Sequence, residues 1–495
     1  MTVSEQSADI EVRTEPIVTR AVIIGSGFSG LGMGIALRKQ GFKDGDFLIL
    51  EKADEVGGTW RDNTYPGCAC DIPSHMYSFS FEPKADWTHM WSFQPEIFDY
   101  LKGVTDKHGL RRNIRFNTHV DRAHWDEDER RWHIYDGSGQ EYIAQFLISG
   151  AGGLHIPSVP EVEGSDEFTG VTFHSAQWDH SVDITGKRVA VIGTGASAIQ
   201  IVPAIVDQVA ELHLYQRTPA WVMPRPNNAF PEWMRTMFRR VPGTRALLRD
   251  GIYWIHEGVG FAMTKQPRLL KIGELLGKWN INRSIKDPEL RRKLTPNYVA
   301  GCKRILNSDT YYRGIANPKT RVFTEGIERM TADGIVTRDG VEHPVDLIVA
   351  ATGYELWTDP ETYRPGTVVG RDGFDLAQAY RTDGLRTYAG SGRPELPNRF
   401  EIVGPLGFVG FAWFDYIETT AGHAVRIIDE AKRRGAEAVA VTPQAFENWN
   451  DGLRRRARLP HLYVTRNENL NTYFLNSHGD TVYYRPQTIT GARRF

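Results

Sequence analysis

Two glycine-rich segments carry the chemistry that reads first from this chain: Gly25-Ser26-Gly27-Phe28-Ser29-Gly30 and Gly193-Thr194-Gly195-Ala196-Ser197-Ala198. The first follows the apolar run Ala21-Val22-Ile23-Ile24 and the second follows Arg188-Val189-Ala190-Val191-Ile192. Strand, glycine turn and helix therefore come in the order that binds a dinucleotide. The first glycine makes the tight turn and the second lets the pyrophosphate reach the backbone. The third, replaced by Ala198 in the second segment, lets helix pack on strand, so the phosphates meet unpaired N-H groups at the helix N-terminus. A chain with two such sites is suited to passing electrons between two bound cofactors.

The residues after each loop separate the two cofactors. Phe47-Leu48-Ile49-Leu50-Glu51 reads as a second strand that ends in a carboxylate, placed to accept from both hydroxyls of an unphosphorylated ribose, as in FAD or NAD. After the second loop, Glu211-Leu212-His213-Leu214-Tyr215-Gln216-Arg217-Thr218 ends in a guanidinium and a hydroxyl instead. A guanidinium binds a 2'-phosphate through planar, charge-assisted hydrogen bonds, which suits NADPH. The plainer reading of Glu51 and Arg217 is a solvated charge at a strand end.

The elements that position these residues predict an α/β fold with two dinucleotide-binding, Rossmann-like domains, the NADP domain inserted in the FAD domain, plus a helical insertion. Gln94 to about His108 reads as a helix, and Ile114 to Val120, Arg131 to Tyr135 and Tyr142 to Ser149 read as strands. The expected division is residues 1–152 for the first part of the FAD domain, then 153–229 for the first part of the NADP domain. A helical insertion at 230–298 and the rest of the NADP domain at 299–345 follow, and 346–495 complete the FAD domain with a C-terminal segment. In the insertion Trp233, Met234, Met237, Phe238, Leu247, Leu248, Tyr253 and Trp254 are expected to supply apolar faces packed on the second domain. Asp346-Leu347-Ile348-Val349-Ala350-Ala351-Thr352-Gly353-Tyr354 is expected to be a buried strand returning to the FAD fold, with Phe400 to Pro405 another strand feeding a glycine turn.

Composition bounds the function classes. The 495 residues carry a net charge of -2 and are 41% hydrophobic, enough for two or three packed domains and no argument for nucleic acid. Met1 to about Glu15 is polar and acidic, without the apolar core of a secretory signal, and the run Ile252 to Met263 is too short to span a bilayer. Three cysteines, Cys68, Cys70 and Cys302, make no disulfide framework and point to a reducing compartment, so a cytoplasmic protein is expected. Cys68-Ala69-Cys70 is spaced more tightly than the pairs of flavin-linked disulfide reductases and reads as small residues in a tight loop. No Cys/His cluster has metal-ligand spacing, so no metal is expected. The sequence leaves the oligomeric state open.

Two longer patterns name a family. Phe168, Gly170, His174, Trp178 and Asp179 match every fixed position of F-x-G-x-x-x-H-x-x-x-W-(P/D), and Gly57, Gly58, Trp60, Tyr65, Pro66, Gly67 and Asp71 match G-G-x-W-x-x-x-x-(Y/F)-P-G-x-x-x-D. With Lys303-Arg304 ahead of Tyr311-Tyr312, and with the Ala351-Thr352-Gly353 run, the chain resembles the flavin-containing monooxygenases, within them the type I Baeyer-Villiger monooxygenases. The resemblance covers nearly the whole chain and types residues 230–294 and the last fifty or so only loosely.

The resemblance implies FAD and NADPH as cofactors, with O2 and a small-molecule ketone or thioether as reactants. NADPH would reduce FAD, O2 would add at flavin C4a, and the anionic C4a-peroxyflavin would attack a ketone to give an ester or lactone. Arg304 matches the family's active-site arginine, a cation at any working pH, and Asp71 the carboxylate that holds it. Lys303 aligns with a lysine that joins Arg217 and Thr218 on the 2'-phosphate. The cofactor-binding set further takes in Phe28 and Ser29, Lys52 beside Glu51, Gly58 and Thr59, and Thr194, Ala196 and Ser197. Trp60 falls where the family's tryptophan faces the nicotinamide, or else in the core. His174 and Trp178 are implied in domain coupling and coenzyme control, not in acid-base work. The alternatives are sulfur or nitrogen oxygenation, or an FAD/NADPH reductase without oxygenated product; a non-enzymatic sensor would have little use for the Arg304 and Asp71 pair. Substrate identity stays open, with the pocket expected between the helical insertion and Tyr473, Phe474, Tyr483 and Tyr484.

Overall fold

The computed structural model describes residues 15–402, 404–407, 413–465, 472, 474–481 and 490–491; Tyr473, Tyr483 and Tyr484 lie outside them. The chain opens with β1 (Ile17–Ile24), α1 (Phe28–Lys39), β2 (Phe47–Leu50), α2 (Thr59–Asp62) and α3 (Gln94–Lys107). Strands β3 (Ile114–Arg115), β4 (Val120–Asp126), β5 (Arg131–Asp136) and β6 (Glu141–Ser149) complete the first segment. The second unit runs β7 (Val171–His174), β8 (Arg188–Ile192), α4 (Ala198–Ile205), β9 (Glu211–Tyr215) and β10 (Val222–Met223). Four helices follow, α5 (Glu232–Arg240), α6 (Thr244–Lys265), α7 (Lys271–Ser284) and α8 (Pro288–Leu294). Then come β11 (Leu306–Asn307), α9 (Tyr311–Ile315), β12 (Thr320–Phe323), a three-stranded meander of β13 (Ile327–Met330), β14 (Gly334–Thr337) and β15 (Glu342–Pro344), and β16 (Leu347–Ala350). The last segment holds β17 (Val368–Val369), α10 (Leu376–Asp383), β18 (Arg399–Glu401), α11 (Trp413–Arg434) and α12 (Pro443–Thr465).

Among the described residues two sheets carry the two glycine loops. The first has the order β17-β4-β5-β6-β1-β2-β3 with β18 joined to β6, and β1 runs parallel to both β2 and β6. The second, β12-β9-β8-β16-β7, is parallel throughout. Parallel strands covered on both faces read as continuous apolar runs, and Val189, Ala190 and Val191 of β8 are accordingly buried.

Three expectations are corrected. The strand Leu347–Ala350 does not return to the first sheet; it pairs with β8 and β7 in the middle of the second, so that sheet extends past residue 345. All four of its side chains are buried, and a doubly covered parallel strand looks alike in either sheet. The return comes later, through β17 beside β4 and β18 beside β6. The single strand expected from Ile114 to Val120 is two strands, because Asn117 turns the chain at φ +53° and its N-H goes to the carbonyl of Ala53. In the insertion Phe238 is buried as expected, whereas Trp233, Leu247 and Trp254 face solvent.

An inserted domain needs two chain crossings, and here they run side by side. Ser158 N-H donates to the Gly353 carbonyl and Glu355 N-H to the Ile156 carbonyl, both at 2.9 Å, while Thr352 Oγ1 donates to the Ser158 carbonyl at 2.5 Å. The seam is also stapled from α4: the Gln200 amide donates to the Ala69 carbonyl and accepts from Ala69 N-H and from the Tyr65 hydroxyl, Oη. Gly67, at φ +81°, lies so close to α4 that a Cβ there would come within 2.8 Å of the Gln200 carbonyl oxygen.

Candidate active site at the seam of two nucleotide folds

The first glycine loop is closed by contacts that leave room for no larger residue. A Cβ on Gly30 would stand 1.8 Å from the Gly25 carbonyl oxygen, and Gly25 itself is at φ +89° against Gly150. Gly27 and Gly58 face each other, so that a Cβ on Gly58 would come within 3.4 Å of the Gly27 Cα. α1 starts at Gly27 with no side-chain cap, which leaves its first N-H groups to an anion. These residues fit the pyrophosphate of FAD. Phe28 and Ser29 are buried in the first turn of α1, and the Phe28 ring meets Phe414 of α11 edge-on at 4.4 Å.

Glu51 ends β2 as expected, and its carboxylate is engaged by the protein. Oε2 accepts from Ser26 N-H at 2.8 Å and Ser26 Oγ at 2.7 Å, while Oε1 accepts from Ala53 N-H and from Arg61 Nη1 at 3.0 Å. Burial opposes its ionisation, and the Ser26 hydrogen bonds, with Ala53 and Arg61, outweigh that and hold it below the usual carboxylate range. Lys52 beside it is exposed. Thr59 Oγ1 donates to the Leu154 carbonyl. Trp60 lies in the core: its indole N-H donates to Tyr77 Oη at 2.9 Å and its ring meets Tyr77 edge-on.

In the second loop Gly193 is at φ +119°, with the Ala351 carbonyl oxygen 2.4 Å from where a Cβ would be. Gly195 has open space there, as a backbone that must be approached by a ligand requires. α4 has no side-chain cap at Ser197, and Ala196 is exposed beside it. Thr194 Oγ1 donates to the Thr218 carbonyl at 2.8 Å and so binds the loop to the end of β9. There Arg217 stands beside Lys303, whose ammonium is held below its usual range by burial first and by the Arg217 charge second. Two cations kept together repel one another, and a phosphate between them relieves the repulsion. These residues fit the 2'-phosphate of NADPH.

The fingerprint residues sit where the domains join. Gly170 leaves no room for a side chain between the Phe168 ring and the Asp346 carbonyl. His174 is buried at the end of β7, its Nδ1 accepting from Ala176 N-H and its ring 5.8 Å from that of Tyr354. Burial holds its imidazole below the usual value, so it is neutral. Trp178 packs on Phe173, and Asp179 accepts from both the N-H and the hydroxyl of Ser181, a local turn at the surface.

Asp71 and Arg304, 233 residues apart in sequence, meet at this seam. Arg304 Nε and Nη2 both donate to Asp71 Oδ2, at 3.0 and 2.5 Å. Two short parallel strands place the arginine: β10 pairs with β11, and Arg304 stands two residues before β11. The same pair brings in a residue that the sequence reading missed. Arg225, two residues after β10, donates from Nη1 to the Cys70 carbonyl and from its N-H to Asp309. Burial opposes ionisation of Asp71, and the Arg304 guanidinium, with Arg225 beside it, overrides this and holds the carboxyl below its usual range. No motif spacing marks Arg225, and Gln200 and Tyr77 escaped notice for the same reason. Cys68 and Cys70 are both buried free thiols, that of Cys68 pushed up to about 12 by burial, so neither is poised as a redox thiolate.

Two dinucleotide folds sharing a seam with a paired arginine and carboxylate define a flavoprotein that works with a nicotinamide coenzyme. Residues 22–242 match the family model described as pyridine nucleotide-disulphide oxidoreductase. A Baeyer-Villiger monooxygenase of Pseudomonas aeruginosa is 45% identical over 88% of this chain and 82% of its own length, and one of Streptomyces coelicolor is 41% identical over 96% and 90%. Among solved structures, cyclohexanone monooxygenase from Rhodococcus sp. Phi1 bound to NADP+ superposes with a TM-score of 0.84 at 27% identity, covering 97% of both chains. Oxidized steroid monooxygenase bound to NADP superposes at 0.82 and 29%, covering 96% of both. The chain belongs to the Baeyer-Villiger monooxygenase family. It is an NADPH-dependent flavoprotein with FAD as its prosthetic group, and it inserts one oxygen atom of O2 beside a ketone carbonyl to give an ester or lactone.

Proposed function

We propose that Arg304, oriented by Asp71, is the catalytic cation of this reaction, with Arg225 as a positioning residue behind the carboxylate. The observation that carries the reading is the pair of hydrogen bonds from Arg304 to one oxygen of Asp71 at the junction of the two nucleotide folds. FAD supplies the activation of O2, and NADPH the two electrons. The protein supplies a charge in place before the reaction. Arg304 stays protonated across the working pH range, and two of its five donors are committed to Asp71, which sets the plane of the guanidinium. A preorganised cation of this kind stabilises negative charge that develops on oxygen during transfer, without reorganising at the moment of reaction.

The other residues take supporting parts. Gly25, Gly27, Gly30 and Gly58 would admit the FAD pyrophosphate, and Glu51, which accepts from Ser26, would receive the ribose. Gly193, Thr194, Gly195 and Ser197 receive the NADPH pyrophosphate, and Arg217, Thr218 and Lys303 its 2'-phosphate. Cys68, Cys70 and Cys302 are buried and in no disulfide, which suits a reducing compartment and supports work in the cytoplasm.

The test is Arg304→Ala assayed on a panel of linear, cyclic and aryl ketones beside thioethers. The variant is expected to keep its flavin spectrum and oxidise NADPH, while ester or lactone formed per NADPH falls at least about a hundredfold. An unchanged yield per NADPH would remove Arg304 from the catalytic position. Oxygen gained by thioethers alone in the unaltered protein would overturn ketone oxygenation as its principal activity.

A further inference from the structure

The helical insertion wears its apolar side outward. Twelve of the nineteen large apolar side chains exposed among the described residues lie between 233 and 279, a concentration far from the scatter of single residues that an ordinary surface shows. On α6, Leu247, Trp254 and Ile255 share a face at i, i+7 and i+8; on α7, Ile272, Leu275 and Trp279 do so at i, i+3 and i+7. Leu247 is 76% exposed, Leu275 67% and Trp254 64%. The inward side of α7 mixes polar groups with buried Ile281. Asn280 Nδ2 donates to the carbonyls of Val222 and Ser308, Glu274 accepts from Ala300 N-H, and Gly277 lies against Trp221. A soluble helix normally keeps its outward side polar.

Charge selects the occupant of this face. Residues 244–286 hold eight Lys and Arg against three Asp and Glu, in a chain whose net charge is -2. Lys265, Arg268, Lys271 and Lys278 are exposed beside the apolar stripe, whereas of the three acids only Asp250 is exposed, and Glu257 and Glu274 are half-buried. A second copy meeting this patch through a twofold axis would bring like charges together. An anionic bilayer surface takes both components at once: Leu, Ile and Trp enter the headgroup boundary while Lys and Arg meet lipid phosphates. No helix among the described residues is long and apolar enough to cross a membrane, so the contact is one of lying on the surface. The opposite side of α6 reaches the site: Arg249 Nη1 donates to the carbonyls of His75 and Ser78, a few residues beyond Asp71.

We propose that the outward face of α6 and α7 docks on anionic lipid and sets the insertion, with the site beneath it, against the bilayer, where water-insoluble ketones are concentrated. The holoenzyme is to be sedimented with vesicles of phosphatidylcholine alone and with vesicles containing phosphatidylglycerol. Binding is expected to the anionic vesicles and to weaken steeply with salt. Lys271→Gln and Lys278→Gln are each expected to lower the partition coefficient about fivefold, equivalent to about 1 kcal/mol per charge near the surface. Ile272→Gln with Leu275→Gln is expected to abolish sedimentation with the melting temperature unchanged, since neither side chain is buried. Failure to bind anionic vesicles, or equal binding to neutral ones, overturns the proposal. So does an oligomer that the Ile272→Gln, Leu275→Gln variant dissociates, because the face would then belong to a second copy.

Discussion

At the scale of single residues the site is an arrangement of charge around Asp71. Two guanidiniums act on a largely buried carboxylate, and one of them, Arg225, touches it only through the field and through the Cys70 carbonyl. Removing that cation in Arg225→Leu weakens the force that keeps Asp71 ionised. The Asp71 pKa then rises, and the acid limb of the kcat profile for ester formation is expected to move to higher pH, with kcat at neutral pH reduced about tenfold or less. An unmoved acid limb would confine Arg225 to packing. The coenzyme site gives a second expectation. On the proposed reading Arg217→Ala and Lys303→Ala remove charge-assisted contacts to the 2'-phosphate worth about 1.5 to 3 kcal/mol, so each should raise KM for NADPH roughly ten- to a hundredfold and leave KM for NADH almost unchanged. Initial-rate kinetics with both coenzymes decide it.

At the scale of elements the two glycine loops were legible because each is local: strand, turn and helix within some fifteen residues. Their glycines serve different ends, which the sequence does not tell apart. Gly30→Ala would drive a Cβ into the Gly25 carbonyl oxygen and is expected to cost FAD occupancy and more than about 2 kcal/mol of stability, read as lost flavin absorbance and a lowered Tm. Gly195→Ala has open space and is expected to change stability by no more than about 0.5 kcal/mol while raising KM for NADPH, because the added methyl occupies the path of the pyrophosphate. Equal effects of both on Tm would contradict this division. The strand Leu347–Ala350 shows the limit of local reading. Four buried apolar residues announce a central parallel strand, and nothing in them says which of two parallel sheets they enter.

Across the whole molecule one hydrophobic core runs beneath both sheets and reaches the insertion, with Ile23, Val191 and Ile281 all part of it. His75 lies in the contact between the segment after Asp71 and the insertion, 4% exposed, against the rings of Phe230 and Phe238, and neither of its ring nitrogens has a hydrogen-bond partner among the described residues. Burial, with the charges of Arg245 and Arg249, lowers its pKa to about 4, so it is neutral in the fold and protonates more readily in the unfolded chain. The unfolded chain therefore binds the extra proton between about pH 6.5 and 4. Stability is complete above that window and falls as pH drops through it, by on the order of 3 kcal/mol. His75→Phe is expected to flatten this acid loss in denaturant titrations at pH 7, 5.5 and 4.5; an undiminished loss would place it elsewhere.

The sequence by itself determined the two nucleotide folds, their nesting and the family, because glycine turns, strand-end charges and two long signatures are chemical patterns carried along the chain. It named Arg304 and Asp71 through those signatures. Only the tertiary structure decided what surrounds them. Arg225 is brought in by the short β10-β11 pair, Gln200 by the docking of α4 on the Tyr65 to Ala69 loop, and the outward apolar face of α6 and α7 by which side of each helix the protein covers. Periodicity tells that a helix has an apolar side, and packing alone tells whether that side faces the core, since the free energy of burial depends on what lies opposite and not on the stripe itself.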